Sequence, residues 1–272
     1  MQGASDVKKK NLQLMKRGNE FMKKHAGIAA KILALVLVAV FMITPVFAAG
    51  NVKTYTNASE IAVLVSDGYN KGTKGPITIT MGTLRSGWSS KTVYLVTLSG
   101  TELVFNQSTE YITDLFCGFN LNNAYYANVV NVIKNNVPKN ANLILAGHSL
   151  GGMVAQQVAS DSTIKKNYNV LNTVTFGSPL LSLGTREGTV KRLGDTKDFV
   201  PALSVQSVTI PLWAYVGLNK ENGGYSNPIT AHKESYKRAD VWGKYDVTGT
   251  KYGSAKLTLD LDTRVFYQSP IF

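Results

Sequence analysis

The sequence predicts an α/β fold in which a mainly parallel central sheet is flanked by helices. Strand-like apolar runs alternate with helix-like stretches from Thr92 to Phe176, which is the pattern of consecutive βαβ units. A Gly-x-Ser-x-Gly segment, Gly147–Gly151, separates one of these strands from the helix that follows it. No internal repeat or low-complexity linker interrupts residues 50–272, so we expect this region to form one domain.

The first elements are a helix, two strands and a second helix. Ser59–Val65 has the spacing of a capped amphipathic helix, and Ile77–Met81 alternates in polarity as a strand does. Thr92–Leu98 is apolar enough to predict a strand buried on both faces. Helical spacing of apolar residues then covers Ala124–Val137 and ends before Pro138.

The remaining elements surround the Gly-x-Ser-x-Gly segment. A strand is predicted to begin at Asn142, a helix covers Met153–Ala159, and another strand covers Val170–Phe176. Val190–Leu193 is also strand-like. Because parallel strands have their carboxyl ends at one edge of a sheet, we expect the segments after these strands to lie close together.

Gly147–Gly151 reads Gly-His-Ser-Leu-Gly and is typical of a nucleophile elbow. A serine hydroxyl is a poor nucleophile, so it needs a sharp turn that exposes it to a base near the positive end of a helix. Gly147 and Gly151 lack the Cβ atoms that would keep the strand and helix apart. The alternative interpretation of the segment is a glycine-rich turn without catalytic function.

A serine nucleophile requires a general base, and the chain contains three histidines, His25, His148 and His232. His25 lies in the N-terminal leader. His148 precedes the serine within the turn, which favours a structural role or a position in the pocket wall. His232, in what reads as a polar loop over residues 227–232, is therefore the candidate base.

The base needs a carboxylate to orient it, and in α/β-hydrolases this acid falls between the serine and the histidine in chain order. Five acids lie in that interval: Asp161, Glu187, Asp195, Asp198 and Glu221. Asp161 ends the elbow helix, and the two glutamates have turn-like contexts suited to solvation. Asp198 precedes the apolar Phe199-Val200-Pro201, which would bury it, whereas Asp195 beside Gly194 resembles a turn former. The sequence favours Asp198.

Composition and charge exclude several classes of function. The chain is 44% hydrophobic and 17% charged, as a globular protein is, and its net charge of +12 falls to about +6 without residues 1–49. The remaining charge suits an anionic membrane or cell-wall surface, with simple solubility as the alternative. No zinc-ligand spacing, P-loop or nucleic-acid module is present, so we expect no metal, no cofactor and no nucleic-acid partner. We also expect the protein to be a monomer.

Cys117 is the one cysteine of the chain, so an intramolecular disulfide is excluded, and its apolar neighbours indicate a buried residue.

Residues 1–49 have the composition of a secretory signal peptide. A basic segment precedes the apolar run Ile32–Ile43, and small residues follow at Ala48 and Ala49, where cleavage is expected. The basic segment is long, and Met22-Lys23-Lys24 offers a more ordinary start of translation. We expect a secreted protein; the alternative is a membrane anchor formed by residues 32–49 if cleavage does not occur.

Three segments together resemble the class 3 lipases, the fungal-lipase-like α/β-hydrolases: Gly147–Gly152, Thr175–Pro179 and Asp198–Pro201. Upstream, Val96–Thr101 is similar to the family's strand that ends in an arginine-glycine-serine/threonine motif. Two further landmarks match at Ile112–Leu115 and Gly118-Phe119, and His232 with Ser235-Tyr236 resembles the segment of the catalytic histidine. The resemblance covers about residues 90–240.

The resemblance implies a catalytic triad of Ser149, Asp198 and His232, with an oxyanion hole formed by the backbone N–H groups of Thr101 and Leu150. It implies a lipase or esterase that cleaves carboxylic ester bonds of lipids, with phospholipase A1 as the nearest alternative. A surface protein that retains the fold for binding is the alternative from another class.

Two features depart from the family pattern. Leu98 occupies the place of the family's arginine, so other groups must supply whatever that arginine supports. Glu102–Phe116 leaves little room for the amphipathic lid of the fungal members, since Leu103–Phe105 is its only apolar cluster. The aromatic run Leu212–Val216 suits either the lining of an open acyl site or a buried strand.

Overall fold

The computed structural model describes residues 50–70, 73–100, 124–180, 186–203 and 217–269. Several sequence predictions lie outside these ranges: the signal peptide with its alternative start at Met22, Thr101, the segment Glu102–Phe116, Cys117 and Leu212–Val216. Within the described ranges, no helix combines the length and the apolar character needed to cross a membrane.

One nine-stranded sheet forms the centre of the described structure. Its strands are β1 (Val52–Tyr55), β2 (Ile77–Ser86), β3 (Ser89–Leu98), β4 (Asn142–His148), β5 (Asn169–Phe176), β6 (Thr189–Asp195), β7 (Leu218–Glu221), β8 (Lys256–Asp260) and β9 (Val265–Tyr267). Their order across the sheet is β1-β8-β2-β3-β4-β5-β6-β7, and β9 pairs with β2.

Helices cover the sheet and connect its strands. They are α1 (Ala58–Ser66), α2 (residues 124–136), α3 (Leu150–Ser160), α4 (Ser162–Asn167), α5 (Pro228–Glu234) and α6 (Ala239–Trp242). Short 3₁₀ turns occur at Val200–Ala202, Ser235–Lys237 and Leu261–Thr263. The predicted helix at Ser59–Val65 therefore exists, and it begins one residue earlier because Asn57 and Glu60 form a capping box.

Strands β3 to β7 form the parallel part of the sheet, and every ladder between neighbours in this group is parallel. This confirms the predicted mainly parallel sheet flanked by helices. The strand predicted at Ile77–Met81 continues to Ser86 and pairs with the whole of β3 as a hairpin. The antiparallel side of the sheet was not predicted; there β8 pairs with both β1 and β2, and β9 pairs with β2.

The hydrophobic core lies on both faces of the sheet. Successive residues of β3 alternate between the two faces, so Leu95 packs in one cluster with helix α1 while Val96 packs in the other with helices α2 and α3. Ile144 and Leu145 of β4 divide in the same way. Burial on both faces explains why these strands read as continuous apolar runs.

Candidate active site

Ser149 occupies the turn between strand β4 and helix α3. Its φ of 56° and ψ of −125° are unusual for a residue with a side chain, so the turn holds Ser149 in a strained conformation. The Ser149 N–H donates to the Phe176 carbonyl oxygen over 3.0 Å, which ties the turn to the end of neighbouring strand β5. This is the local structure that the Gly-x-Ser-x-Gly pattern predicted.

The two outer glycines of the turn permit close contact between backbones. A Cβ atom on Gly147 would lie 2.4 Å from the Gly151 carbonyl oxygen, and one on Gly151 would lie 2.1 Å from the Leu98 carbonyl oxygen. Neither distance is possible for real atoms. The glycines are therefore required because helix α3 packs directly against strands β3 and β4.

His232 and Asp198 form a buried pair at this same edge of the sheet. Nδ1 of His232 lies 2.8 Å from Oδ2 of Asp198, and their side chains are 5% and 0% exposed. Asp198 Oδ1 accepts a hydrogen bond from the Val200 N–H over 2.9 Å, so the apolar segment after Asp198 holds the carboxylate as expected.

His232 lies on helix α5, and its predicted position in a polar loop is wrong. The Asn227 side chain accepts hydrogen bonds from the N–H groups of Ile229 and Thr230, and Pro228 occupies the first helical position. Both residues are standard helix-start signals. Helix α5 therefore positions His232 beside Asp198.

Asp195 forms a turn as predicted, because its carbonyl oxygen accepts from the Asp198 N–H over 3.1 Å, and its carboxylate is also buried and structural. It ends strand β6 and is 2% exposed. Its Oδ2 atom accepts from the Gly223 N–H over 2.9 Å and from Ser235 Oγ over 2.5 Å, and Oδ1 accepts from the Lys197 N–H over 2.8 Å. The structure brings Asp198 to His232 and gives Asp195 these other partners.

Tyr236 connects the two aspartates, and sequence reasoning missed its position in the site. Its hydroxyl donates to Asp198 Oδ2 over 2.6 Å and accepts from the Asp195 N–H over 3.0 Å. Burial and the Asp198 charge raise the pKa of Tyr236 well above its ordinary value, so it remains a donor. The signal in the sequence that could have indicated Tyr236 was its position four residues after His232.

His148 uses both ring nitrogens for structural contacts. Nε2 donates to the His232 carbonyl oxygen over 2.9 Å, and Nδ1 accepts from the Tyr69 hydroxyl over 2.6 Å. The Tyr69 oxygen in turn accepts from the Gly100 N–H over 2.8 Å. Burial, and then the charge of His232, lower the pKa of His148 well below its ordinary value, so His148 is neutral. Nothing in the sequence indicated Tyr69.

A buried arginine supports the loops around the pair. Arg192 of strand β6 is 2% exposed, and its Nη2 atom donates to the carbonyl oxygens of Ser178 over 3.1 Å and Pro201 over 3.3 Å. Burial lowers its pKa to about 10, which still leaves it protonated. Arg192 thereby connects the turn after β5 to the segment after Asp198.

The other three candidate acids lie elsewhere. Asp161 caps helix α4 by accepting from the Ile164 N–H. Glu187 lies two residues before strand β6, and its N–H donates to the Ala159 carbonyl oxygen. Glu221 ends strand β7 and binds Lys244 and Lys251, so its predicted solvated turn is wrong.

Leu150 is the first residue of helix α3, where a backbone N–H has no acceptor within the helix. This is the position expected of an oxyanion-hole donor, while Thr101 lies outside the described residues. Within the described part of the chain, no group of three or more His, Cys, Asp or Glu side chains is placed to hold a metal ion.

A strained serine between a parallel strand and a helix, at the carboxyl edge of a mainly parallel sheet, defines an α/β-hydrolase domain. A family profile described as "PGAP1-like alpha/beta domain" matches residues 43–193, more than half of the 272-residue chain. The chain belongs to this family, whose domain is an α/β-hydrolase with a lipase-like fold. The matched region contains Ser149 and ends before Asp198 and His232. A comparison with curated proteins gave no significant match.

Proposed function

We propose that this protein is a secreted serine hydrolase of the lipase and esterase type, which cleaves carboxylic ester bonds of lipids. The observation that carries the proposal is the buried His232–Asp198 pair, 2.8 Å apart, at the sheet edge where the nucleophile elbow holds Ser149. Asp198 fixes the imidazole with its proton on Nδ1, which leaves Nε2 as the basic nitrogen.

In the proposed reaction, Ser149 Oγ attacks the ester carbonyl carbon while its proton moves to His232 Nε2. The tetrahedral intermediate then loses the alcohol, which receives that proton, and an acyl-serine ester remains on Ser149. Water attacks the acyl carbon with His232 again accepting a proton, and the carboxylic acid leaves as Ser149 regains its hydrogen. No metal or cofactor takes part in these steps.

The oxyanion of each intermediate would be stabilised by backbone N–H groups. Leu150 follows the nucleophile and begins helix α3, so its N–H lies where the helix dipole also favours negative charge. The resemblance to class 3 lipases assigns the second donor to Thr101. Loss of one such donor costs about 3 kcal/mol of transition-state stabilisation.

The proposed subfamily is the class 3 lipases, on the ordered motifs from Val96 to Tyr236. Phospholipase A1 activity is the alternative within enzymes, because the same triad serves both ester classes. A membrane-anchored surface hydrolase or binding protein, held by residues 32–49, is the alternative for the location. The signal-peptide composition of residues 1–49 supports secretion.

A serine-reactive phosphonate and a panel of esters test the proposal. The purified protein should react stoichiometrically with a fluorescent alkyl phosphonate and hydrolyse p-nitrophenyl esters, and Ser149→Ala should abolish both while keeping the wild-type melting temperature. Ser160→Ala, at the end of helix α3, is the matched control and should retain both.

Labelling of Ser149→Ala at full strength would place the nucleophile elsewhere and refute the proposal. Phosphonate labelling of the wild type without turnover of any ester would favour the binding-protein alternative. Faster hydrolysis of sn-1 phospholipid esters than of triacylglycerols would select the phospholipase alternative.

A further inference from the structure

The β2–β3 hairpin carries a fully exposed tryptophan at its tip. Ser86 pairs with Ser89, so Gly87 and Trp88 form a two-residue turn, and Gly87 adopts the φ of 56° that such a turn requires. Trp88 is the most exposed large hydrophobic residue in the described part of the chain. Asn142 of β4 pairs with Val93, so residues 89–92 project beyond the start of β4.

Basic residues lie near this tip and at the starts of the neighbouring strands. Arg85 and Lys256 pair across β2 and β8, and Lys91 follows Trp88 on β3. The next two strand starts continue the row, because Lys139 precedes β4, Lys166 precedes β5, and the Asn140 N–H donates to the Asn167 carbonyl oxygen over 2.7 Å. All five of these basic residues are exposed. We call Trp88 and these five residues the basic edge.

Basic residues are concentrated in the segments of the basic edge, and acidic residues are absent from these segments. Segments 84–92, 138–142, 165–170 and 254–257 together contain six basic residues and no acid, whereas residues 50–272 as a whole contain 21 basic and 15 acidic residues. The acids nearest these segments along the chain are Asp260 and Asp161, and both are half-buried. Asp161 is bonded to the Tyr126 hydroxyl, and Asp260 ends strand β8 four residues, about 13 Å, from Lys256. The positive potential of this edge is therefore not neutralised locally.

The basic edge lies opposite the candidate active site. Trp88 precedes the start of β3, and Ser149 lies beyond the other end, where Leu98 pairs with Gly147. The ten residues of β3 separate them by about 30 Å at 3.3 Å per residue. A surface bound at the basic edge would leave the entrance to the catalytic serine unobstructed.

We propose that the basic edge docks the protein on a bilayer containing anionic phospholipid. Lysine and arginine side chains are attracted to anionic headgroups, and a tryptophan ring is favoured at the membrane interface, where its apolar body is buried and its N–H stays hydrated. Single exposed apolar residues are common on proteins, but an exposed indole among acid-free basic segments matches both properties of that interface. With the basic edge on the bilayer, Ser149 would face away from that bilayer. The enzyme would then act on substrates that lie on the side away from the membrane to which it is bound.

Co-sedimentation with vesicles tests this proposal independently of any activity. The purified protein should bind vesicles of phosphatidylglycerol and phosphatidylcholine in equal parts and not vesicles of phosphatidylcholine alone. Trp88→Ser should weaken partitioning about tenfold, because the buried indole area is lost. Lys139→Gln/Lys166→Gln should weaken it about 25-fold, at roughly fivefold for each charge. Ser149→Ala should bind as the wild type does.

Two matched variants keep the test specific. Lys53→Gln/Lys74→Gln removes the same charge outside the basic edge, and Val63→Ser removes a half-exposed apolar side chain from helix α1. Both should bind as the wild type does. Trp88→Phe should retain most of the binding and abolish the blue shift of tryptophan fluorescence on vesicles.

Three results would overturn the proposal. Equal binding to both vesicle types would exclude charge recognition. Equal losses in the Lys53/Lys74 and Lys139/Lys166 variants would mean that net charge alone decides. Binding of soluble polyphosphate as tight as that of vesicles, and unchanged in Trp88→Ser, would make the edge a site for a soluble polyanion.

Discussion

The Nε2 atom of His148 donates a hydrogen bond to the main-chain oxygen of His232 over 2.9 Å, so a neutral histidine beside Ser149 holds the candidate base. The ring centroids of the two histidines lie 4.4 Å apart, and the Tyr69 hydroxyl holds the other nitrogen of His148. A positive charge on the buried His148 ring would be poorly tolerated. Acid should therefore destabilise the fold through His148.

The first prediction concerns this pH dependence. The pKa of His148 is lowered in the folded state, so the unfolded chain binds the extra proton below about pH 6.5 and stability falls as the pH falls. Between pH 7.5 and pH 5 the loss from this group is at most about 2 kcal/mol. Urea unfolding of the wild type and His148→Gln at both pH values measures it.

His148→Gln should be less stable than the wild type at pH 7.5 but should lose less stability on acidification. His232, Tyr236 and Lys237, which face or act on His148, are present in both proteins and cancel in the comparison. Identical pH slopes for the two proteins would show that His148 does not titrate on unfolding.

The second prediction separates the two buried aspartates by their kinetic effects. Asp198→Asn should reduce kcat by up to about 10⁴-fold, because the amide no longer fixes the imidazole tautomer. Asp195→Asn should instead lower the unfolding free energy by about 1–3 kcal/mol, since Asp195 accepts bonds from Ser235 and Gly223, and should leave kcat within about tenfold. A larger loss of kcat in Asp195→Asn would reverse the assignment.

The third prediction uses Gly177, which lies against the candidate triad. A Cβ atom there would come within 2.5 Å of Asp198 Oδ2 and 2.9 Å of His232 Nδ1, so Gly177→Ala should force the pair apart and reduce kcat at least about 100-fold. Gly224→Ala is the control, because Gly224 also has a positive φ but a Cβ atom added there would meet no other atom within 4 Å. Equal activity in the two variants would contradict the assigned roles of Asp198 and His232.

The fourth prediction concerns substrate access and rests on the sequence of Glu102–Phe116. A lid needs one broad apolar face, and this segment has a single apolar cluster, so we expect hydrolysis of soluble short-chain esters below their aggregation limit. Rates measured across the critical micelle concentration of the substrate test this. A rate near zero for monomers that rises sharply on aggregation would indicate a lid.

Much of the fold could be predicted from the sequence because its determinants are local or periodic. The continuous apolar runs of β3 and β4 reflect burial on two faces, and Gly147 and Gly151 mark a contact that no larger residue allows. The antiparallel pairing of β8 between β1 and β2 could not be predicted, because it joins segments about 200 residues apart and has no local signature in the sequence.

The sequence by itself determined the elbow at Ser149, the parallel sheet around it and a short set of candidate partners, since spacing and residue type are sufficient for these. The sequence favoured Asp198 through its apolar neighbours, but only the tertiary structure decided that Asp198, and not Asp195, meets His232. Asp195 and Asp198 are three residues apart and both buried, and they differ because Asp195 ends β6 facing Ser235 while Asp198 turns toward helix α5. That choice depends on where a helix about 30 residues further along the chain packs, which local sequence does not encode.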